Sequence, residues 1–154
     1  MVRLVPMDPG EYGPYMDRLL RFYAKENITA GRWTEKEGLA EAQKQIQGLL
    51  PAGRETPNHF FLTIVADPAE EKVGAIWLAV EPRGGFIYDL LIFEPFRRHG
   101  YAEQAMILLE GVARKNGALR LSLQVFGTNQ GARKLYVKLG YVETNVAMSK
   151  PLSP

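Results

Sequence analysis

A chain of 154 residues, 46% hydrophobic and 23% charged, has the size and composition of one globular domain, residues 1–154, that buries its own core. The absence of cysteine excludes disulfides, thiolate metal sites and a cysteine nucleophile, and it suits a reducing, cytoplasmic setting. Lys and Arg number 19 against 17 Asp and Glu, a net charge of +2 that falls far short of a dedicated nucleic-acid binder, so any anion recognition has to be local.

The start, "MVRLVPMDPGEYG", has no apolar segment behind a basic stretch, and no run of ~18 apolar residues follows; neither export nor a membrane span is expected. "VRLVPM" alternates as a strand. "DPGE" then supplies Asp8 as N-cap, Pro9 at the first helical position and Glu11 three residues after the cap, opening a helix to about Glu26. "TEKE" repeats the device with Thr34 and Glu37 ahead of an apolar stripe at Leu39, Ala42, Ile46, Leu49 and Leu50, which Pro51 and Gly53 end. "HFFLTIVAD" and "KVGAIWLAVEP" read as a β-hairpin turning between Asp67 and Lys72. "GGFIYDLLIF", apolar throughout except for Asp89, predicts a strand covered on both faces and stopped by Pro95.

From Ala102 the apolar positions Ala105, Met106, Leu109, Val112 and Ala113 define a third helix, closed by Gly117. "LRLSLQV" alternates as a half-buried strand with Leu119, Leu121, Leu123 and Val125 on one face. Thr128 or Asn129 caps a fourth helix carrying Ala132, Leu135, Tyr136 and Leu139, Gly140 ends it, and "YVETNVAMS" predicts a last strand. The order β-α-α-β-β-β-α-β-α-β implies an α/β protein of α+β type, with a mixed, mainly antiparallel central sheet flanked by helices.

The turn between Phe93 and Tyr101 is the chemically informative stretch. A helix N-terminus leaves main-chain N–H groups unpaired and carries about half a positive charge, so cations are disfavoured there. Yet "FRRHGYA" places Arg97, Arg98 and His99 at that end. Gly100 permits close approach to the backbone, and small Ala102 keeps the next turn open; the combination reads as a polyphosphate site. A merely solvated turn is the alternative.

Residues 86 to 148 decide between these, because they resemble the GCN5-related N-acetyltransferase (GNAT) family. "LIFEPFRRHGYAEQAM" is similar to that family's strand, proline and Arg/Gln-x-x-Gly-x-Gly/Ala loop, and "NQGARKLYVKLGY" to its later Asn, small-residue, Tyr and Leu-Gly-Phe/Tyr segment. The resemblance implies acetyl-CoA as cosubstrate and an amine acceptor, and is compatible with a homodimer. It implies that Leu91, Ile92 and Phe93 offer main-chain groups to the pantetheine arm as an added strand. It implies further that the N–H groups of Arg98, His99, Gly100, Tyr101 and Ala102 hold the pyrophosphate beside Arg97. Asn129 and Ala132 would meet the pantetheine, Arg133 or Lys134 the ribose phosphate, and Tyr136 the sulfur. His99 stands where Gly or Lys is more frequent, and Ala102 replaces the last glycine of the pattern.

Direct transfer to an amine needs a proton acceptor for the amine and a proton donor for the leaving thiolate. Tyr136 suits the donor, although its helix stripe with Ala132 and Leu139 equally fits a core aromatic. Asp89, costly to ionise inside an apolar strand, suits the acceptor directly or through water; accepting backbone N–H groups at a bulge is the structural alternative. His59 and Glu81 are further candidates for the base. Tyr12, Tyr15, Tyr23 and Trp77 fit an acceptor pocket or the core, while Trp33 and Arg32, in a polar inter-helix loop, are candidates for acceptor recognition. The acceptor itself is unread: a small molecule, a peptide, a protein N-terminus or a lysine would each serve, and a non-catalytic acyl-CoA sensor would carry the same loop.

Overall fold

The computed structural model describes residues 1–154, which divide into two compact units, Met1–Gln124 and Val125–Pro154. The first unit runs β1 (Val2–Pro6), α1 (Pro9–Thr29), α2 (Gly38–Leu49), β2 (His59–Ala66), β3 (Glu71–Glu81), β4 (Gly84–Ile92), α3 (Tyr101–Lys115) and β5 (Leu121–Leu123). These strands form one sheet in the order β1-β2-β3-β4-β5, antiparallel from β1 to β4 and parallel between β4 and β5. Hairpin turns suffice for β2-β3-β4, whereas the parallel neighbour needs a crossover, which α3 provides.

Alternation along the central strands sorts their side chains. Phe61, Ala75 and Trp77 pack with Met7, Tyr15, Met16, Leu19, Ile46 and Leu50 in the layer under α1 and α2. The intervening Ile64, Ile76 and Leu78 are fully buried, as are Met106 and Leu109 of α3, which packs on β1 and β4. Burying such a side chain contributes roughly 1.5–3 kcal/mol, so these two layers dominate the stability of the unit.

The helix ends follow the sequence cues with local changes. Thr34 and Glu37 form a reciprocal capping box, Thr34 N–H donating to Glu37 Oε1 at 3.0 Å and Glu37 N–H to Thr34 Oγ1 at 3.4 Å, one turn ahead of the regular helix. Asp8 makes no side-chain cap; it joins Glu11 around the Lys72 ammonium, and Glu11 also accepts from Thr63 Oγ1 at 2.6 Å. Gly117 ends α3 with φ 96°, its N–H bonded to Arg114 O and that of Ala118 to Ala113 O, a Schellman closure. In α2, Leu39 and Leu49 are exposed at 47% and 38%, leaving Ala42, Ile46 and Leu50 as the buried stripe.

Three expectations change. β4 is only partly buried beyond Ile87, because β5 pairs with Gly85, Phe86 and Ile87 alone. β5 shrinks to three residues, with Leu119 fully outside it and 98% exposed. In the second unit α4 (Gln130–Lys138) forms as foreseen, but no strand follows: Val142, Val146 and Met148 are exposed at 78%, 64% and 92%. The sequence between them, Glu143 to Asn145, is polar, and a strand without a ladder partner has nothing to hold it.

Candidate active site

The turn from β4 to α3 is built by a short 3-10 segment, Glu94–Phe96, followed by two residues in the left-handed region, Arg98 at φ 63° and Gly100 at φ 77°. Glycine is required at 100 for this conformation and not for space, since an added Cβ would meet only Gln104 Nε2, at 4.0 Å. The first helical bond is Gln104 N–H to Gly100 O at 3.2 Å, and no side chain caps the helix. The N–H groups of Arg98, His99, Gly100, Tyr101 and Ala102 consequently make no hydrogen bond within the protein. A row of uncapped donors at the positive end of a 15-residue helix fits a pyrophosphate in sign and in hydrogen-bonding type. Gln104 anchors the turn, its Oε1 accepting from Val2 N–H at 3.0 Å. His99 is tied down by Nδ1 against Phe96 O at 3.0 Å and stacks on Tyr101 at 5.5 Å, while Arg97 Nε donates to Ile92 O at 3.0 Å.

Along β4 the edge facing β5 is unpaired past Ile87. Phe93 N–H donates to Val73 O at 2.8 Å, so Phe93, and by strand alternation Leu91, point their main chain at β3. The residues whose main chain faces the open edge are Leu90 and Ile92, while the main-chain groups of Leu91 and Phe93 face β3.

The β3–β4 ladder slips by one residue between the Trp77–Asp89 and Leu78–Ile87 pairs, making Tyr88 the extra residue of a bulge. Asp89 sits at that bulge, its Oδ2 accepting from the Tyr15 hydroxyl of α1 at 2.8 Å. Burial pushes its carboxyl up to about 6, although the Tyr15 hydroxyl and the Leu90 N–H both pull it down. Tyr15 is in turn driven well above its ordinary range by burial and by the Asp89 charge, so it stays neutral as a donor. Asp89 thus stands at a bulge, as the structural reading expected, with its carboxyl raised to about 6.

Around it Trp77 stacks on Tyr88 at 4.4 Å and on Phe61 at 5.4 Å. His59 Nδ1 accepts from Trp77 Nε1 at 2.9 Å and the ring stacks on Tyr88, with burial lowering its pKa against the pull of Glu81. With Nδ1 occupied as an acceptor, neutral His59 carries its proton on Nε2, so it serves the aromatic wall and is a poor base. Trp33 packs edge-on against Tyr23 at 5.5 Å, and Arg32 Nη1 donates to Asn27 Oδ1 at 3.3 Å, which accounts for both within the helical layer.

In the second unit Asn129 caps α4, its Oδ1 accepting from Ala132 N–H at 3.2 Å and its amide hydrogens remaining unspent. Arg133 is engaged by Glu143 at 2.7 Å and by Gly127 O at 3.3 Å, whereas its exposed neighbour Lys134 forms no ion pair. The "LGY" signature has a mechanical reason: Gly140 at φ 95° donates to Val137 O and Tyr141 N–H to Tyr136 O, and the Tyr136 and Tyr141 rings meet at 5.8 Å. This is a Schellman closure with its hydrophobic contact, and it fixes the ring of Tyr136 at the helix end.

Two residues escaped sequence reading as parts of one arrangement. Tyr15 fits an acceptor pocket or the core equally, and Tyr88 reads as any strand residue; a bulge at Asp89 is one alternative, but nothing in the residues links it to Tyr15.

A mixed sheet with a bulged fourth strand, an open edge beside it and an uncapped helix start is the frame that carries these groups. The sequence profile described as the Acetyltransferase (GNAT) family matches residues 16–141. The chain is 39% identical to YycN of Bacillus subtilis (strain 168), named an uncharacterized N-acetyltransferase, over 98% of its own length and 99% of the relative's. It is 38% identical to YdgE of the same organism, which bears the same description, over 97% of each chain. The crystal structure of YycN superposes with a TM-score of 0.94 over 100% of both chains at 38% identity. The protein belongs to the GNAT family of acetyltransferases. No helix is long and apolar enough to cross a membrane.

Proposed function

We propose that the protein transfers the acetyl group of acetyl-CoA to a primary amine of a small molecule or peptide, by direct attack of the amine. The observation that carries this reading is the row of unpaired N–H groups from Arg98 to Ala102, held open by left-handed Arg98 and Gly100. When bound, acetyl-CoA supplies an activated thioester. The row holds the pyrophosphate, and the open β4 edge, through the Leu90 carbonyl and the Ile92 N–H, takes the amide groups of the pantetheine. Taken by itself, the second unit offers the amide hydrogens of Asn129 for the pantetheine and Lys134, in place of the engaged Arg133, for the ribose phosphate.

Asp89 removes the proton from the acceptor ammonium, directly or through water, because a carboxyl titrating near 6 is ionised at neutral pH yet still basic enough to take a proton. Tyr15 holds that carboxylate in one orientation. Tyr136 gives its phenolic proton to the departing sulfur. The absence of cysteine fits a cytoplasmic protein.

Calorimetric titration with acetyl-CoA, followed by measurement of free CoA released across a panel of amines, tests the reading. Saturable binding with CoA release on some amines is expected. Binding without release on any amine, peptides and lysine side chains included, would point instead to an acyl-CoA sensor.

A further inference from the structure

Asp89, Leu91 and, one step past the strand end, Phe93 turn towards α1: Tyr15 holds the first, and Arg18 shares a cavity of about 360 Å³ with the other two. Glu94, Pro95 and Arg97 complete its lining. Arg18 lies three residues beyond Tyr15, on the same helix face. Its guanidinium carbon stands 5.0 Å from the centroid of the Phe93 ring, and Arg97 Nε is held by Ile92 O at 3.0 Å. Neither guanidinium forms an ion pair, although Glu94 borders the same space. Two guanidiniums against one carboxylate leave the cavity a net single positive charge, which matches one carboxylate better than a dianionic phosphate.

Leu91 and Phe93 are two and four residues from Asp89, about 7 and about 13 Å along an extended strand. A group seated in the cavity is therefore that far from an amine at Asp89. The span equals an extended peptide of about two to four residues, or an ω-amino acid of similar length, and far exceeds the amine-to-carboxylate distance of a free α-amino acid.

We propose that the acceptor is an amine bearing a carboxylate about 7–13 Å away, and that Arg18, assisted by Arg97, binds that carboxylate. The inference rests on the reading of Asp89 as the proton acceptor.

The test uses di-, tri- and tetrapeptides, each as free acid and as C-terminal amide, binding to the CoA-loaded protein by calorimetry and turned over with acetyl-CoA. A charge-assisted contact predicts that free acids of the fitting length bind about 10-fold or more tighter than their amides. Arg18→Gln is expected to abolish that preference while leaving acetyl-CoA affinity unchanged, and Arg18→Lys to restore part of it. Equal binding of acids and amides by the wild type overturns the proposal. So does an Arg18→Gln variant that keeps the preference, or one that loses acetyl-CoA affinity, which would assign the cavity to the donor's phosphates. Asp89→Asn separates the underlying reading: it should lower turnover of acids and amides alike, and full activity in that variant would remove Asp89 as base while leaving the Arg18 result standing.

Discussion

Replacing Asp89 with Asn should make the protein more stable at pH 8 and nearly inactive. The carboxyl is lifted from an ordinary value of 3.8 to about 6 in the folded state by burial, against the opposing pull of Tyr15 and the Leu90 N–H. A group whose folded pKa is raised contributes full stability below its unfolded pKa and loses it as pH rises through the folded value. The cost of ionising Asp89 therefore appears between about pH 4 and pH 7. Two pKa units at 1.36 kcal/mol each set it at about 3 kcal/mol, an upper figure because the site is only partly buried. The titratable side chain bonded to Asp89 is Tyr15, raised well above its ordinary range and silent here. Urea unfolding followed by fluorescence of Trp77, which pairs across the ladder with Asp89, reads the effect. The stability difference between Asp89→Asn and wild type should shift by about 2–3 kcal/mol in favour of the variant between pH 4 and pH 8. In the wild type kcat/KM should rise through pH 6. Parallel stability–pH curves for the two proteins would refute the burial argument, and a flat rate profile would refute the assignment as base.

Three other substitutions probe separate parts of the account. Gly100→Asp should weaken acetyl-CoA binding at least ~10-fold more than Gly100→Ala, because both strain the left-handed turn by about 1–2 kcal/mol but only Asp sets a negative charge against phosphate; calorimetry decides, and equal losses would leave only backbone strain. Tyr136→Phe keeps the ring contact with Tyr141 and should lower kcat about 10- to 100-fold with little change in KM or thermal stability, whereas unchanged turnover would make Tyr136 purely structural. Gly74→Ala places a Cβ 2.2 Å from Leu91 O and 3.1 Å from Ile92 Cδ1, so it should cost about 1–3 kcal/mol in urea unfolding and disturb the open β4 edge; wild-type stability would mean that β3 and β4 separate freely.

Where periodicity and end signals agreed, the sequence was sufficient. The α3 stripe of Ala105, Met106, Leu109 and Ala113 with its Gly117 closure, the "TEKE" capping box and the β2–β3 hairpin are all local patterns, and they appear as read. What failed depended on partners distant in sequence. "LRLSLQV" alternates over seven residues, yet only three find a ladder, and "YVETNVAMS" finds none. Asp8 had every sequence mark of an N-cap and instead joined Glu11 around Lys72, 64 residues away. The uncapped turn before α3 was legible because it lies in one contiguous stretch. The surroundings of Asp89 were legible only in part: a bulge there was one reading, but Tyr15, which bonds the carboxylate, is 74 residues away.

The central claim is that the unpaired N–H groups of Arg98, His99, Gly100, Tyr101 and Ala102 receive the pyrophosphate of acetyl-CoA. Amide chemical shifts of the ¹⁵N-labelled protein, recorded while acetyl-CoA is added, test it at the atoms concerned. The account predicts large downfield proton shifts concentrated in these five amides, saturating with the calorimetric affinity and much reduced with acetyl-pantetheine, which lacks the pyrophosphate. Binding of acetyl-CoA that leaves the five amides unmoved would contradict it.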